Sequence, residues 1–432
     1  MITGAEFLRV AGVAGLLTGG LAMLQRLAPR MNASAELTRK IVHVVMGVVC
    51  MAFPWIFDRP EPVWWLAVLA SLPLILLRVS GRGKDGMGSV LHGVARPSYG
   101  DVLFAPAVAF VFHLSQGDAL FYVVSVSVLA LADAAGALAG SRWGRHRYQS
   151  GIGWKSVEGS TAFAVSAFLC SALPLACTGR VGWPEAIFIG TAIALLAMMA
   201  EGIADRGFDN LILPPVVLLI LIRLVPLPLP DLVWRAISAF ALLAIAITLA
   251  PRTFLNGGAL LGAALLGYGC GALADARFVF PLLAVFLWHA AASRKYRAGD
   301  VPVYRIDAII SHAISAMPWV LCVTFAKLPA ETALLGLSIA SAAHLALTQA
   351  SLYGSPPVVA SLTGWLVAAS PGLLWLIPLS AAVVKACACG FAATLLLAII
   401  FPRTPHPKIA TPMWWTLKGM LALAASIFAW WS

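Results

Sequence analysis

The sequence predicts an all-α protein, a polytopic bundle of about 14–16 transmembrane helices. Three observations carry that expectation. Of the 432 residues, 61% are hydrophobic and only 11% charged, and the mean hydropathy is strongly positive, beyond any soluble composition. Apolar runs of about 18 residues or more recur along nearly the whole chain, each long enough to cross a ~30 Å hydrocarbon core as a helix. Basic residues then gather in short loops on alternate sides of those runs, as the positive-inside rule requires of cytoplasmic loops.

The formal net charge of +11 is therefore a topology signal and not the mark of a nucleic-acid binder. Arg26, Arg30, Arg39 and Lys40 form one basic cluster, and Arg78, Arg82, Lys84 and Arg96 a second. Arg142, Arg145, Arg147 and Lys155 form a third, and Arg294, Lys295, Arg297 and Arg305 a fourth. The expected location is the inner (plasma) membrane, multi-pass, with these loops and any site they carry in the cytoplasm. The seven cysteines lie almost all inside apolar runs without metal-type spacing and read as packing residues.

Taken in order, the first span covers roughly residues 5–25 and lacks a basic start or small-residue cleavage site, so it is expected to be retained. The second opens with Glu36, Lys40, His43 and Gly47, which share one helical face with Arg39 beside it. A third span near 62–79 ends in a glycine-rich polar segment that closes with Arg96, Ser98, Gly100 and Asp101. The fourth is expected near 102–115 and the fifth near 118–140. The fifth carries Asp133, an intramembrane carboxylate whose insertion cost of about 3 kcal/mol makes a functional role the default. Gly136, Gly140 and Gly144 continue its face, a pattern that also serves plain helix approach. A basic loop leads through Lys155, Ser156, Glu158 and Gly159 into spans near 161–178, 185–203 and 209–227. Glu201, Asp205, Asp209 and Asn210 crowd the turn before the last of these, and Pro214 and Pro215 predict a broken helix of the kind that lines a cavity.

The proline run VPLPLP divides the chain into residues 1–229 and 230–432. Polar chemistry in the second part is confined to His312, His344 and Lys385, without HExxH-type spacing, and predicts no site. In the first part, lysine, arginine and glycine-rich backbone suit phosphates, and nearby carboxylates suit the magnesium that bridges them. GIGWKS lacks P-loop spacing and no protein-kinase loop is present.

Four motifs now stand in order over residues 35–220. They are Glu36-x-x-Arg39-Lys40-x-x-His43-x-x-x-Gly47, Arg96-x-Ser98-x-Gly100-Asp101, Asp133-x-x-Gly136-x-x-x-Gly140-x-x-x-Gly144 with Lys155-Ser156-x-Glu158-Gly159-Ser160, and Asp209-Asn210-x-x-x-Pro214. This arrangement resembles the polyprenol kinase family, which includes dolichol kinase and phytol kinase. Gly136, where that family commonly has alanine, and a single Lys155 in place of a lysine pair are its departures. The resemblance implies transfer of the terminal phosphoryl group of CTP, with Mg2+, to an isoprenoid alcohol drawn from the lipid phase.

Carried over motif by motif, the resemblance implies catalytic roles for Asp133, Lys155, Glu158 and Asp209, with the metal at Asp133 and Glu158. It implies nucleotide contacts at Arg39, Lys40, His43, Arg96, Ser98, Gly136, Gly140, Gly144, Ser156 and Gly159, and an alcohol contact at Asn210. A cytidylyltransferase making a CDP-lipid and a non-enzymatic lipid transporter or scaffold are the competing readings. The second part resembles the membrane family that includes phytyl-phosphate kinase through Asn256–Gly262 and Arg305-Ile306-Asp307, but AHLALTQASLYG stands where an acid-rich helix is expected. That substitution implies a degenerate or scaffolding module.

Overall fold

The computed structural model describes residues 3–27, 35–79, 99–151, 153–293, 303–401 and 411–431. It is helical nearly throughout. Among the described residues eleven helices are long and apolar enough to cross a membrane, and Pro60–Leu76, Gly100–Leu114 and Gly257–Leu273 are shorter apolar helices. The chain is an integral membrane protein of the all-α polytopic class. It divides into two compact units, Met1–Ile237 and Ser238–Ser432.

The first unit runs α1 (Gly4–Leu27), α2 (Ala35–Met51), the short α3 (Phe53–Ile56), α4 (Pro60–Val79), α5 (Gly100–Leu114) and α6 (Ala119–Ser127). A π-helical turn, Val128–Ala132, then joins α6 to α7 (Asp133–Trp143). After a two-stranded hairpin come α8 (Val157–Cys177), α9 (Trp183–Ile203) and α10 (Asp209–Leu224), and α11 (Leu229–Leu249) carries the chain into the second unit. Side chains start several of these helices. Asp118 caps α6 by accepting from Phe121 N at 3.0 Å, and Ser156 caps α8 by accepting from Gly159 N at 3.1 Å, each satisfying an otherwise orphan donor. The α6–π–α7 rod and α9 form the buried centre, so the polar groups they carry sit inside the bundle and not toward lipid.

Two expectations need correction. Residues 141–160 are not simply a basic loop, because Arg147–Ser150 (β1) and Gly153–Ser156 (β2) pair antiparallel, with Tyr148 opposite Lys155. A two-residue link turns the hairpin, and its Gly151 holds φ +54, as a hairpin turn with positive φ demands. Pro214 and Pro215 do not break their helix either, since α10 runs unbroken from Asp209 to Leu224. What the prolines remove is two N–H donors, so the carbonyls of Asn210 and Leu211 lose their usual partners within the helix.

The second unit contains α12 (Gly257–Leu273), α13 (Val279–Ser293), α14 (Ile306–Ala326) and α15 (Ala330–Leu352). It continues with α16 (Pro357–Gly364), a second π-helical turn (Trp365–Ala369), α17 (Ser370–Leu373), α18 (Ala381–Ile400) and α19 (Pro412–Trp431). The central element is α15, which packs against α14, α16, α18 and α19. Asn256 caps α12 by accepting from Ala259 N at 2.9 Å, a local reason for the Asn-Gly-Gly start of that segment.

Candidate functional site

The site grows from Asp133, the one carboxylate buried to 6% exposure among the described residues of the first unit. Asp133 opens α7 just after the π turn, where a widened helix sets side chains and carbonyls off their usual line. Its Oδ2 receives Lys40 Nζ at 2.6 Å, and both side chains are almost wholly buried. His43, one turn along α2, places Nε2 3.5 Å from the same oxygen and 3.1 Å from Leu129 O inside the π turn. A carbonyl only accepts, so Nε2 carries the proton. Phe104 closes the other side of the imidazole, edge to face at 5.1 Å. Gly47 makes this approach possible, because a Cβ there would lie 2.2 Å from Ala130 Cβ.

A second pair forms where the hairpin docks on the end of α9. Lys155 Nζ donates to Glu201 Oε1 at 2.6 Å and also to the Glu201 carbonyl. Ser150 Oγ donates to Gly202 O, and Tyr148 shares a 2.7 Å hydroxyl contact with Ser160. Burial acts to lower the Lys155 pKa, but the carboxylates of Glu201 and Asp209 outweigh it and hold the ammonium above its ordinary value. The Tyr148 phenol is lifted by burial, against the pull of its bond to Ser160.

Asp209 connects the two pairs. It stands in the first turn of α10, within electrostatic reach of His43, Lys155 and Glu201, and its Oδ1 is buried without a hydrogen-bond partner. Arg39 likewise reaches Asp133 electrostatically. Thus Arg39, Lys40, His43, Asp133, Lys155 and Asp209 are brought together, and Glu201 joins them. Sequence reasoning placed Glu201 in the acidic turn but not in the site, although it has the same signature as Asp133: a carboxylate at the end of an apolar run.

Other expected residues fall elsewhere. Glu158 turns to the loop, accepting from the backbone N of His146 at 3.2 Å and sitting 2.7 Å from its Nδ1. Asp133 and Glu158 therefore belong to separate clusters. The register along α7 and α8 separates them as well: Gly140 lies opposite Gly159, and Asp133 is seven residues, about 10 Å, further along α7. Asn210 donates to Gly100 O at 2.8 Å, fastening α10 to the start of α5. Arg96 and Ser98 lie outside the described residues.

Gly136, Gly140, Gly144 and Gly159 seat α7 against α8. A Cβ on Gly159 would lie 2.8 Å from Gly136 O, and one on Gly144 would lie 2.8 Å from Ser156 Oγ. The close approach these glycines permit in the structure is that of helix to helix.

Among the described residues no three His, Cys, Asp or Glu side chains are grouped to hold a metal ion. Magnesium on a nucleotide needs only one or two carboxylates beside the phosphates, and the unpartnered Oδ1 of Asp209, with Glu201 near, fits that smaller requirement.

No family model matches the chain, and no solved structure matches it. Curated sequences do. A phytol kinase of Synechocystis is 31% identical over 206 residues, spanning 47% of this chain and 86% of that protein. A probable chloroplastic phytol kinase of Triticum aestivum is 28% identical over 231 residues, covering 49% of this chain and 77% of its own. One from Oryza sativa is 29% identical over 217 residues, covering 46% and 69%.

Proposed function

The chain belongs to the phytol kinase family, and from that premise we propose that it transfers the terminal phosphoryl group of CTP to the hydroxyl of an isoprenoid alcohol, at the cytoplasmic face of the membrane. The observation that carries the reading is the convergence of Arg39, Lys40, Lys155, Asp133, Glu201 and Asp209 in one unit, with one carboxylate oxygen left unpartnered. Phosphoryl transfer asks little covalent work of a protein. It asks for positioning and for charge that matches the transferring group.

The charges also say what must accompany the nucleotide. Among the described residues, three cations face three carboxylates in this cluster, so these side chains nearly cancel one another's charge. A triphosphate enters with its own counter-cation, and Asp209 with Glu201 would hold that Mg2+. When bound, the metal neutralises charge on the terminal phosphates during transfer. Arg39, Lys40 and Lys155 orient the phosphates, Asp133 keeps Lys40 in place, and Glu201 keeps Lys155 in place. The alcohol reaches the site from the lipid phase, where its chain is already dissolved.

The test uses purified protein with CTP or ATP labelled at the terminal phosphate, against phytol and longer prenols. Labelled isoprenyl phosphate with release of CDP is the expected result. Release of pyrophosphate would replace the kinase reading by cytidylyl transfer, and an absence of any transfer from either nucleotide would sink both. Asp209→Asn should raise the magnesium concentration needed for half-maximal rate by about ten-fold or more while membrane insertion is unchanged.

A further inference from the structure

The second unit buries a lysine that no acid among the described residues balances. Lys418, on α19, is 0% exposed. Its ammonium donates to Thr348 Oγ1 at 2.9 Å and lies 3.8 Å from the centre of the Trp415 ring. An ammonium has three donors, and hydrogen bonding to Thr348 uses one. Among the described residues of this unit the ion pairs are those of Arg277 with Asp275 and Glu331, and none involves Lys418.

Among the described residues, the neighbours of Lys418 add donors and no negative charge. Lys418 borders a cavity of about 120 Å³ that His289, His312 and His344 also line. His312 and His344 stack at 4.5 Å and are satisfied by Ser341 and Ser311. His289 is not: its Nδ1 is 3.4 Å from the Tyr353 hydroxyl, while Nε2 is buried with no partner. The remaining walls are apolar, among them Leu242, Val285 and Trp288. Three histidines line the cavity, but none of the described groups is arranged to hold a metal ion, and a lysine alongside competes with one.

Charging a buried amine without a counter-charge is costly in a membrane bundle. That cost is recovered when an anion completes the pair. The volume equals about four waters at ~30 Å³ each, room for a small acidic head and the first carbons of a chain. We infer that this cavity binds an amphiphile with a single acidic head group, a carboxylate or a phosphate monoester, held by Lys418 and by Nε2 of His289. Its hydrocarbon chain lies on the apolar walls. The site lies wholly within the second unit and shares no residue with the phosphoryl-transfer site.

The experiment uses the full chain in nanodiscs and reads binding by native mass spectrometry and thermal shift. The probes are dodecyl phosphate, laurate, dodecanol and inorganic phosphate. One or both charged amphiphiles should bind at least ten-fold more tightly than dodecanol and than inorganic phosphate, and which of them wins identifies the head group. Lys418→Met should erase the preference for charge. Gly267→Leu fills the cavity at a position where an added Cβ meets only Leu242 methyls at 3.7 Å, and should weaken every chain at least ten-fold. Should Lys418→Met fail to fold, Gly267→Leu and the dodecanol comparison decide alone. Equal binding of dodecanol and the charged probes, binding of inorganic phosphate as tight as that of dodecyl phosphate, or folded variants that bind as the parent does would each overturn the inference.

Discussion

Asp133 and Lys40 illustrate how a costly residue becomes affordable in context. Alone, each is expensive in a membrane helix; at 2.6 Å each cancels the other's charge. Removing one partner is worse than removing both, because the survivor is left buried and uncompensated. Asp133→Asn is therefore expected to lower stability by about 3–5 kcal/mol, read as a fall in the unfolding temperature in detergent. Adding Lys40→Met to it should restore most of the loss. If the double variant is no more stable than Asp133→Asn alone, the pair is not the reason Asp133 matters to the fold. His43 completes this group by tying α2 to the carbonyl of Leu129, a contact that depends on the π turn.

At the scale of elements, two contacts build the site. The first is α2 against the π turn, permitted by Gly47. Gly47→Ala introduces a Cβ 2.2 Å from Ala130 Cβ, which the helices can relieve only by separating. A loss of about 1–3 kcal/mol is expected from overpacking, together with reduced transfer activity, while Gly12→Ala, where an added Cβ meets nothing within 4 Å, should change neither. The second contact is the hairpin on α9, held by Lys155–Glu201 and Ser150–Gly202. Because the folded Lys155 pKa lies above its ordinary value of 10.5, this ion pair contributes fully below that pH and is lost only as pH rises through the higher folded value. Protease protection of the hairpin should consequently be flat from neutral pH to about 10 and fall beyond it. A loss of protection near pH 7 would show that another group governs the docking.

For the whole molecule, the division into Met1–Ile237 and Ser238–Ser432 separates two kinds of polar chemistry. Every residue of the proposed phosphoryl-transfer site lies in the first unit, and the buried Lys418 with its histidines lies in the second. A chain ending at Arg252, just past α11, is expected to retain nucleotide-dependent transfer, and the cut avoids splitting the helix that spans Leu229–Leu249. Retained monodispersity with complete loss of transfer would place part of the machinery in the second unit.

The all-α membrane class and the order of the spans were legible in the sequence, and Arg39, Lys40, Asp133, Lys155 and Asp209 stood out there as charges beside or within apolar runs, because hydropathy and the cost of charge in lipid act locally and leave marks in composition. The hairpin was less visible, since a pair of four-residue strands beside a basic loop has little periodicity to detect. Partnership was not legible at all. That Glu201 receives Lys155, that Glu158 turns away to His146, that the glycines of α7 are filled by α8, and that Lys418 is enclosed with no acid beside it among the described residues are decided by which helix faces which. Distant segments meet only through packing, and a charge declares its role only once its neighbours are known.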